Sequence, residues 1–400
     1  MIPAITGLGI SSAIGCDRHS FWDNLNKGGT QFDFMQRPGR QQHTHFIGAE
    51  IQNFVLDKTL RKGIPRTTSL TAQLALATVK QAWDEANLES ADPERIGLII
   101  GGSNIQQREL FSQYERYSSK LEYLRPSYAV GFMDTDCVGV CTQQLGIKGP
   151  SFTVGGASAS GQLAIIKSLE AVESGVIDTC IAVGALSDIS FLECQAYRSL
   201  GAMGSDRFKE EPSLAYRPFD KHRDGFIYGE ACAAVVIQNP ERATASSLVN
   251  VPGWAMYMDS QQGPEPSFDG ERITIQNALT RAGLSSRDID YVNPHGSGST
   301  LGDEIELEVI RSLHLDQAYI NSTKSLTGHG LTAAGAVEFV ASILQIEHQK
   351  LHPSANLENP ICNDLNWVPH DGKIAKLNKV LNISLGFGGI NTAVCLSSNT

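Results

Sequence analysis

The sequence predicts an α/β fold with mainly parallel sheets buried on both faces, and three observations carry that prediction. Short runs that are apolar throughout, such as Ile96-Gly97-Leu98-Ile99-Ile100-Gly101, end on glycines and read as fully buried strands. Helix-period stretches alternate with them. The clearest is Thr67 to Ala86, where Ala72, Leu74, Ala75, Ala77, Val79 and Ala82 make a small-residue face. The third observation is an internal echo: Gly229 to Ile237 resembles Gly389 to Leu396 in its small-then-apolar character, and a helix opening at Ser158 has a counterpart in Leu331 to Gln345. The echo divides the chain into units 1–240 and 241–400, joined through the Pro/Ser/Gly-rich stretch 239–269.

Taken in order, residues 2–10 read as a buried strand, followed by a glycine turn and a helix around Asp17–Leu25. Residues 28–65 are polar and read as irregular. After the helix at 67–86 and the strand at 96–101, Val138–Leu145 reads as helical and Ser151–Val154 as a strand; Ile181–Gly184 and Ala231–Gln238 are further strands. A net charge of −11 and no dense Lys/Arg stripe argue against nucleic-acid binding. The eight cysteines are scattered and mostly in apolar runs; the close pair Cys137 and Cys141 lacks a second pair at zinc spacing, so reduced thiols and no metal are expected. The N-terminus has no basic n-region of a signal peptide, and no apolar run has membrane-spanning length, so a cytoplasmic globular protein is expected.

The chain is organised around Phe152-Thr153-Val154-Gly155-Gly156-Ala157-Ser158-Ala159-Ser160-Gly161, an apolar run passing through tiny residues into a helix carrying Leu163, Ile166, Leu169 and Val172. A hydroxyl at the start of a buried helix sits beside free N–H groups and the positive end of the dipole, a position that suits a nucleophile or a developing anion. Taken alone, the stretch also reads as a packing turn with Ser158 as helix cap. Three further stretches change that reading: Asn293-Pro294-His295-Gly296 continuing to Glu306, Asn321-Ser322-Thr323-Lys324 continuing through His329 to Ala336, and Leu385-Gly386-Phe387-Gly388-Gly389-Ile390-Asn391.

With these motifs, and with Arg217-Pro218-Phe219-Asp220 continuing to Glu230, the sequence resembles the β-ketoacyl-acyl-carrier-protein synthases across essentially its whole length. The resemblance implies the thiolase fold, two similar halves in five αβαβα layers, and normally a dimer. It implies that His295 and His329 hydrogen-bond the thioester carbonyl of a malonyl group. It further implies that Lys324 orders the site with Glu306 as its carboxylate partner, and that Phe226 lies beside the malonyl carboxylate. Phe387 is implied to gate the site, its N–H joining that of Ser158 in an oxyanion hole. No cofactor is implied; the substrate rides on the phosphopantetheine arm of an acyl carrier protein.

Condensing members carry Cys where this chain has Ser158. A helix N-terminus makes thiolate available from cysteine, whereas a serine hydroxyl must lose its proton to a base during attack. Decarboxylation needs no such nucleophile. Two imidazole N–H donors aimed at the thioester oxygen stabilise the enolate as carbon dioxide leaves, each contributing about 3–4 kcal/mol by analogy with oxyanion holes. The chain therefore looks like the stand-alone Ser-bearing relatives of polyketide β-branching cassettes, which convert malonyl-carrier protein to acetyl-carrier protein for a hydroxymethylglutaryl-synthase-like enzyme. A non-catalytic chain-length-factor-like partner of a true ketosynthase, or a Ser-dependent acyltransferase or condensing enzyme, are the alternatives. A homodimer is expected, with a short acyl tunnel closed by Phe132 or Met133. Carrier docking is expected at the basic cluster Lys58, Arg61, Lys62 and Arg66.

Overall fold

A computed structural model describes residues 2–42 and 44–399. Its frame consists of β1 (Ala4–Ser12), α1 (Leu70–Glu85), β2 (Ile96–Gly101), α2 (Thr135–Leu145), β3 (Ser151–Val154), α3 (Ser160–Glu173), β4 (Thr179–Gly184) and β5 (Ala231–Gln238), followed by β6 (Val249–Met258), α4 (Phe268–Ala282), β7 (Tyr291–Asn293), α5 (Thr300–Ser312), β8 (Tyr319–Ile320), α6 (Ala334–His348), β9 (Asn366–Trp367), β10 (Lys379–Gly386) and β11 (Ile390–Ser397). The strands form one hydrogen-bonded series, β9-β8-β7-β10-β11-β6-β1-β5-β4-β2-β3. The join between its halves is slight. β1 meets β6 only through Ala4 with Asn250 and Ile5 with Val249, whereas it pairs with β5 along its length.

Alternating side chains build the layers, because successive strand residues face opposite sides. Leu98 and Ile100 of β2 pack toward α1 and α2, while Ile99 faces a central core that contains α3 and α6. In the other half Val394 and Leu396 of β11 face the same central core, and Ala393 and Cys395 pack with α4 and α5. The order is helices, sheet, two central helices, sheet, helices: the five-layered αβαβα thiolase architecture. α6 is apolar nearly all round, as a helix covered on every side must be, whereas α3 is buried through Ile166 and exposes Glu170 and Glu173 toward its end.

Boundaries moved where local chemistry decided them. α1 begins at Leu70 because Ser69 caps it, its Oγ accepting from Ala72 N at 3.1 Å. Residues 331–333 form a 3-10 turn ahead of α6. The stretch 239–269 is not a linker throughout. Val249, Val251 and Trp254 are buried in β6, whose apolar pattern Pro252 and Gly253 disguise in the sequence. Residues 28–65 are likewise not simply irregular, since Phe32, Met35, Phe46 and Ile47 join Phe226, Tyr228 and Leu331 in a satellite core. Seven cysteines are buried and Cys16 is exposed. Among the described residues no helix is long and apolar enough to cross a membrane.

Candidate active site

β3 runs into a single 3-10 turn, Ala157–Ala159, from which α3 begins. Ala157 has φ of +47°, a left-handed conformation that costs a residue with a Cβ about 1–2 kcal/mol. Ser160 holds the turn: its Oγ accepts from Gly156 N at 2.9 Å and donates to Ala157 O at 2.7 Å. Ser158 is therefore not the residue that secures the helix start, and its side chain is left half-buried in a cavity wall. Gly386, ending β10, crosses the turn so closely that a Cβ there would lie 2.2 Å from Gly156 O. That approach sets Phe387 in the same wall as Ser158.

His295, on the loop after β7, and His329 bring their rings to a centroid separation of 5.4 Å at 79°. Leu385 N donates to His295 Nδ1 at 3.3 Å, and Leu331 N donates to His329 Nδ1 at 3.1 Å. An imidazole that accepts at Nδ1 carries its proton at Nε2. Burial first, then the charge of Lys324, hold both groups well below the ordinary histidine value. Both rings are thus neutral and oriented as Nε2–H donors. None of their hydrogen bonds goes to the Ser158 hydroxyl. Phe226 packs edge-on against His329 at 5.1 Å and is itself backed by Tyr197 at 5.4 Å.

The carboxylate partner expected for Lys324 is wrong. Lys324, fully buried, donates from Nζ to the carboxylate of Glu338 on α6 and to the carbonyl of His295. Glu306 instead clamps the histidine loop, accepting from His295 N at 2.5 Å and Gly296 N at 2.8 Å. The reason is direction. Glu306 on α5 points at the backbone of its own loop, whereas α6 passes directly beneath the lysine. Asp303 repeats the clamp one turn earlier, taking Gly298 N at 3.0 Å and Phe219 N at 2.7 Å. Burial pushes Glu338 up to about 7 and Glu306 up to about 8.

These groups surround one cavity of about 540 Å3, lined by Ser158, His295, His329, Phe226 and Phe387 among others. Its lining mixes polar residues, among them Ser103, Asn104, Gln107, Ser187 and Glu193, with the apolar side chains of Ile189, Tyr197, Ala202 and Leu331. Phe132 and Met133 do not line it. Both are exposed, and Phe132 stacks on Tyr128 at 5.8 Å instead. The basic cluster also lies away from the cavity lining: Lys58, Lys62 and Arg66 are exposed on and after the short helix Lys58–Arg61, and Arg61 donates to Pro65 O at 3.1 Å.

Two carboxyl groups escaped the sequence reading. Glu338 had a legible signal, since it is the one charged residue in the apolar run Ala334 to Ile346. Glu271, which lines the cavity, had none, because Asp269-Gly270-Glu271-Arg272 reads as a solvated first turn of α4.

Comparison with known proteins fits this geometry. Residues 3–243 match the N-terminal domain of beta-ketoacyl synthase and residues 249–358 its C-terminal domain. The chain is 49% identical over 397 residues to the polyketide biosynthesis malonyl-ACP decarboxylase PksF of Bacillus subtilis, covering 98% of this chain and 96% of that protein. It is 31% identical to the 3-oxoacyl-[acyl-carrier-protein] synthase 2 of Coxiella burnetii, over 98% and 97% of the two chains. Among solved structures, a beta-ketoacyl synthase from Burkholderia phymatum superposes with a TM-score of 0.89 at 25% identity, covering both chains fully.

Proposed function

The chain belongs to the β-ketoacyl synthase family, and from that premise we propose that it decarboxylates malonyl-S-acyl-carrier protein to acetyl-S-acyl-carrier protein in polyketide biosynthesis. The observation that carries this reading is the pair of neutral imidazoles with Nδ1 engaged and Nε2–H free to donate, beside a serine that no base among the described residues attends. The similarity to a malonyl-ACP decarboxylase along the whole chain supports it. The thioester oxygen sits between the two Nε2–H groups. As the bond from the α-carbon to the carboxylate breaks, its electron pair moves into the enolate, and the two donors stabilise the oxygen charge that develops. Phe226 and Phe387 keep water from the departing carboxylate. The N–H groups of Ser158 and Phe387 complete the polar surround as an oxyanion hole.

The acyl carrier protein delivers its phosphopantetheine arm through the cavity mouth, with Lys58, Arg61, Lys62 and Arg66 as its docking patch. The active unit is a cytoplasmic homodimer that hands its product to a hydroxymethylglutaryl-synthase-like enzyme. Support for the dimer comes from β3, the terminal strand of the sheet, where Phe152 is 44% exposed. Incubation with malonyl-carrier protein followed by intact mass tests the activity: conversion to acetyl-carrier protein with no adduct on the enzyme is expected. An acyl group trapped on Ser158 would overturn direct decarboxylation in favour of a serine acyltransferase.

A further inference from the structure

Decarboxylation leaves an enolate that must take up one proton, and the histidines cannot supply it. Their Nε2 protons are committed to the thioester oxygen, and both rings are neutral. Among the buried acids around the cavity, the others have partners. Glu306 accepts two backbone N–H groups, Asp303 accepts two more, and Glu338 pairs with Lys324. Asp259 accepts from Asn391 Nδ2 at 2.8 Å through one oxygen. Glu271 differs. It is 1% exposed, it lines the cavity with Ser158 and both histidines, and neither of its oxygens has a hydrogen-bond partner among the described residues. An ionised carboxylate cannot be sustained in such a place; a buried charge needs a partner or gives up its ionisation. Burial pushes its carboxyl well up, and the nearby Glu306 and Asp259 push the same way.

Resting on the decarboxylase reading, we propose that Glu271 is the catalytic acid that protonates the enolate at the α-carbon. The balance is simple. The bond between the α-carbon and the carboxylate breaks and carbon dioxide leaves. The electron pair held in the enolate then forms a C–H bond with the Glu271 proton. The carboxylate left behind is unpartnered and beside two other acids, so it regains a proton from solvent through the cavity mouth. That reprotonation supplies the one proton the overall reaction consumes.

The test uses the full chain with malonyl-carrier protein in equal parts H2O and D2O, reading carbon dioxide release and the deuterium content of the acetyl group. Glu271→Gln keeps the shape but cannot donate. Steady-state carbon dioxide release, which in repeated turnover waits on protonation of the bound enolate, is expected to fall about a hundredfold, the usual loss for a general acid. The acetyl deuterium content is expected to change as well, because water becomes the donor. Glu271→Asp, which keeps a transferable proton, is expected to retain the wild-type deuterium content at an intermediate rate, and it carries the test if the glutamine variant folds poorly. A Glu271→Gln enzyme as fast as wild type, or slower with the deuterium content unchanged, overturns the assignment. A wild-type enzyme that releases no carbon dioxide overturns the decarboxylase reading instead, so the two failures are separable.

Discussion

The two central turns, Ala157-Ser158-Ala159 and Leu331-Thr332-Ala333, are one backbone device used twice. Each is a single 3-10 turn entered through a left-handed residue, φ +47° at Ala157 and +49° at Leu331, and each feeds a central helix. The helices touch through glycines four residues past the strained positions. A Cβ on Gly161 would lie 3.0 Å from that of Ala336, and one on Gly335 would lie 2.9 Å from that of Gln162. The side chains differ in employment. Both line the cavity, but the Thr332 hydroxyl is engaged, donating to Ala185 O at 2.8 Å, while the Ser158 hydroxyl has no hydrogen-bond partner among the described residues. In the second turn the Leu331 N–H fixes the tautomer of His329. The comparison teaches that the chemistry has migrated to one half. The second half holds the histidines, the lysine and its carboxylate, and the first contributes a wall and a backbone N–H.

Breaking the buried pair that anchors the second half has the largest expected effect. Lys324→Met strands Glu338 and should cost about 3–5 kcal/mol of stability, the usual penalty for an unpaired buried charge. Lys324→Met with Glu338→Leu should recover most of that loss in chemical denaturation. Recovery with a change at Glu306 instead would restore the pairing that the structure contradicts.

The sharpest contrast between the halves is catalytic. His295→Ala or His329→Ala should each lower the rate about a hundredfold or more, the loss of a transition-state donor. Ser158→Ala should stay within about threefold of wild type, because the backbone N–H remains. Ser158→Cys should become acylated by a short acyl-carrier protein, visible by intact mass. Steady-state carbon dioxide release checks the first two, and a dead Ser158→Ala would erase the contrast.

Stability should also carry the mark of the second half's buried acids. Glu306 and Glu338 have folded values near 8 and 7, above their unfolded carboxylate value. The folded chain therefore holds more protons than the unfolded one between those limits, and stability is lost as pH rises through 7 and 8. Each such proton contributes a slope of at most about 1.4 kcal/mol per pH unit. On the acid side burial depresses His295, His329 and His352, the last to about 4, so stability is lost again as pH falls below the unfolded histidine value. Thermal melts should peak near neutrality and decline by pH 9; a flat profile between 7 and 9 would count against this account.

The smallest effect tests the shared device. Ala157→Gly relieves about 1–2 kcal/mol of strain but adds up to about 1 kcal/mol of unfolded-state entropy, so a gain of no more than about 1 kcal/mol is expected. Leu331→Gly should lose stability, since Leu331 also packs in the satellite core with Phe226. Equal changes at the two sites would make the turns interchangeable.

What the sequence determined by itself was the set of elements that period and composition encode. The strands at Ile96–Gly101 and Ala231–Gln238 lie where their apolar runs put them, because a strand covered on both faces has no polar alternation to blur it, and Ser151–Val154 lies as expected at the end of the same sheet. The motifs around Ser158, His295, Lys324, His329 and Phe387 pointed to one site, and the fold gathers four of them on its wall with Lys324 just behind. Tertiary structure alone decided the partners. Glu306 and Glu338 are both acids in helices near the lysine, and only the direction of α5 and α6 makes one a backbone clamp and the other a counter-charge. Nor does a sequence distinguish Glu271 from a solvated helix start. Its burial comes from β6, β11 and α5, which pack on α4 from positions elsewhere along the chain, and burial is what decides whether a carboxyl keeps its proton.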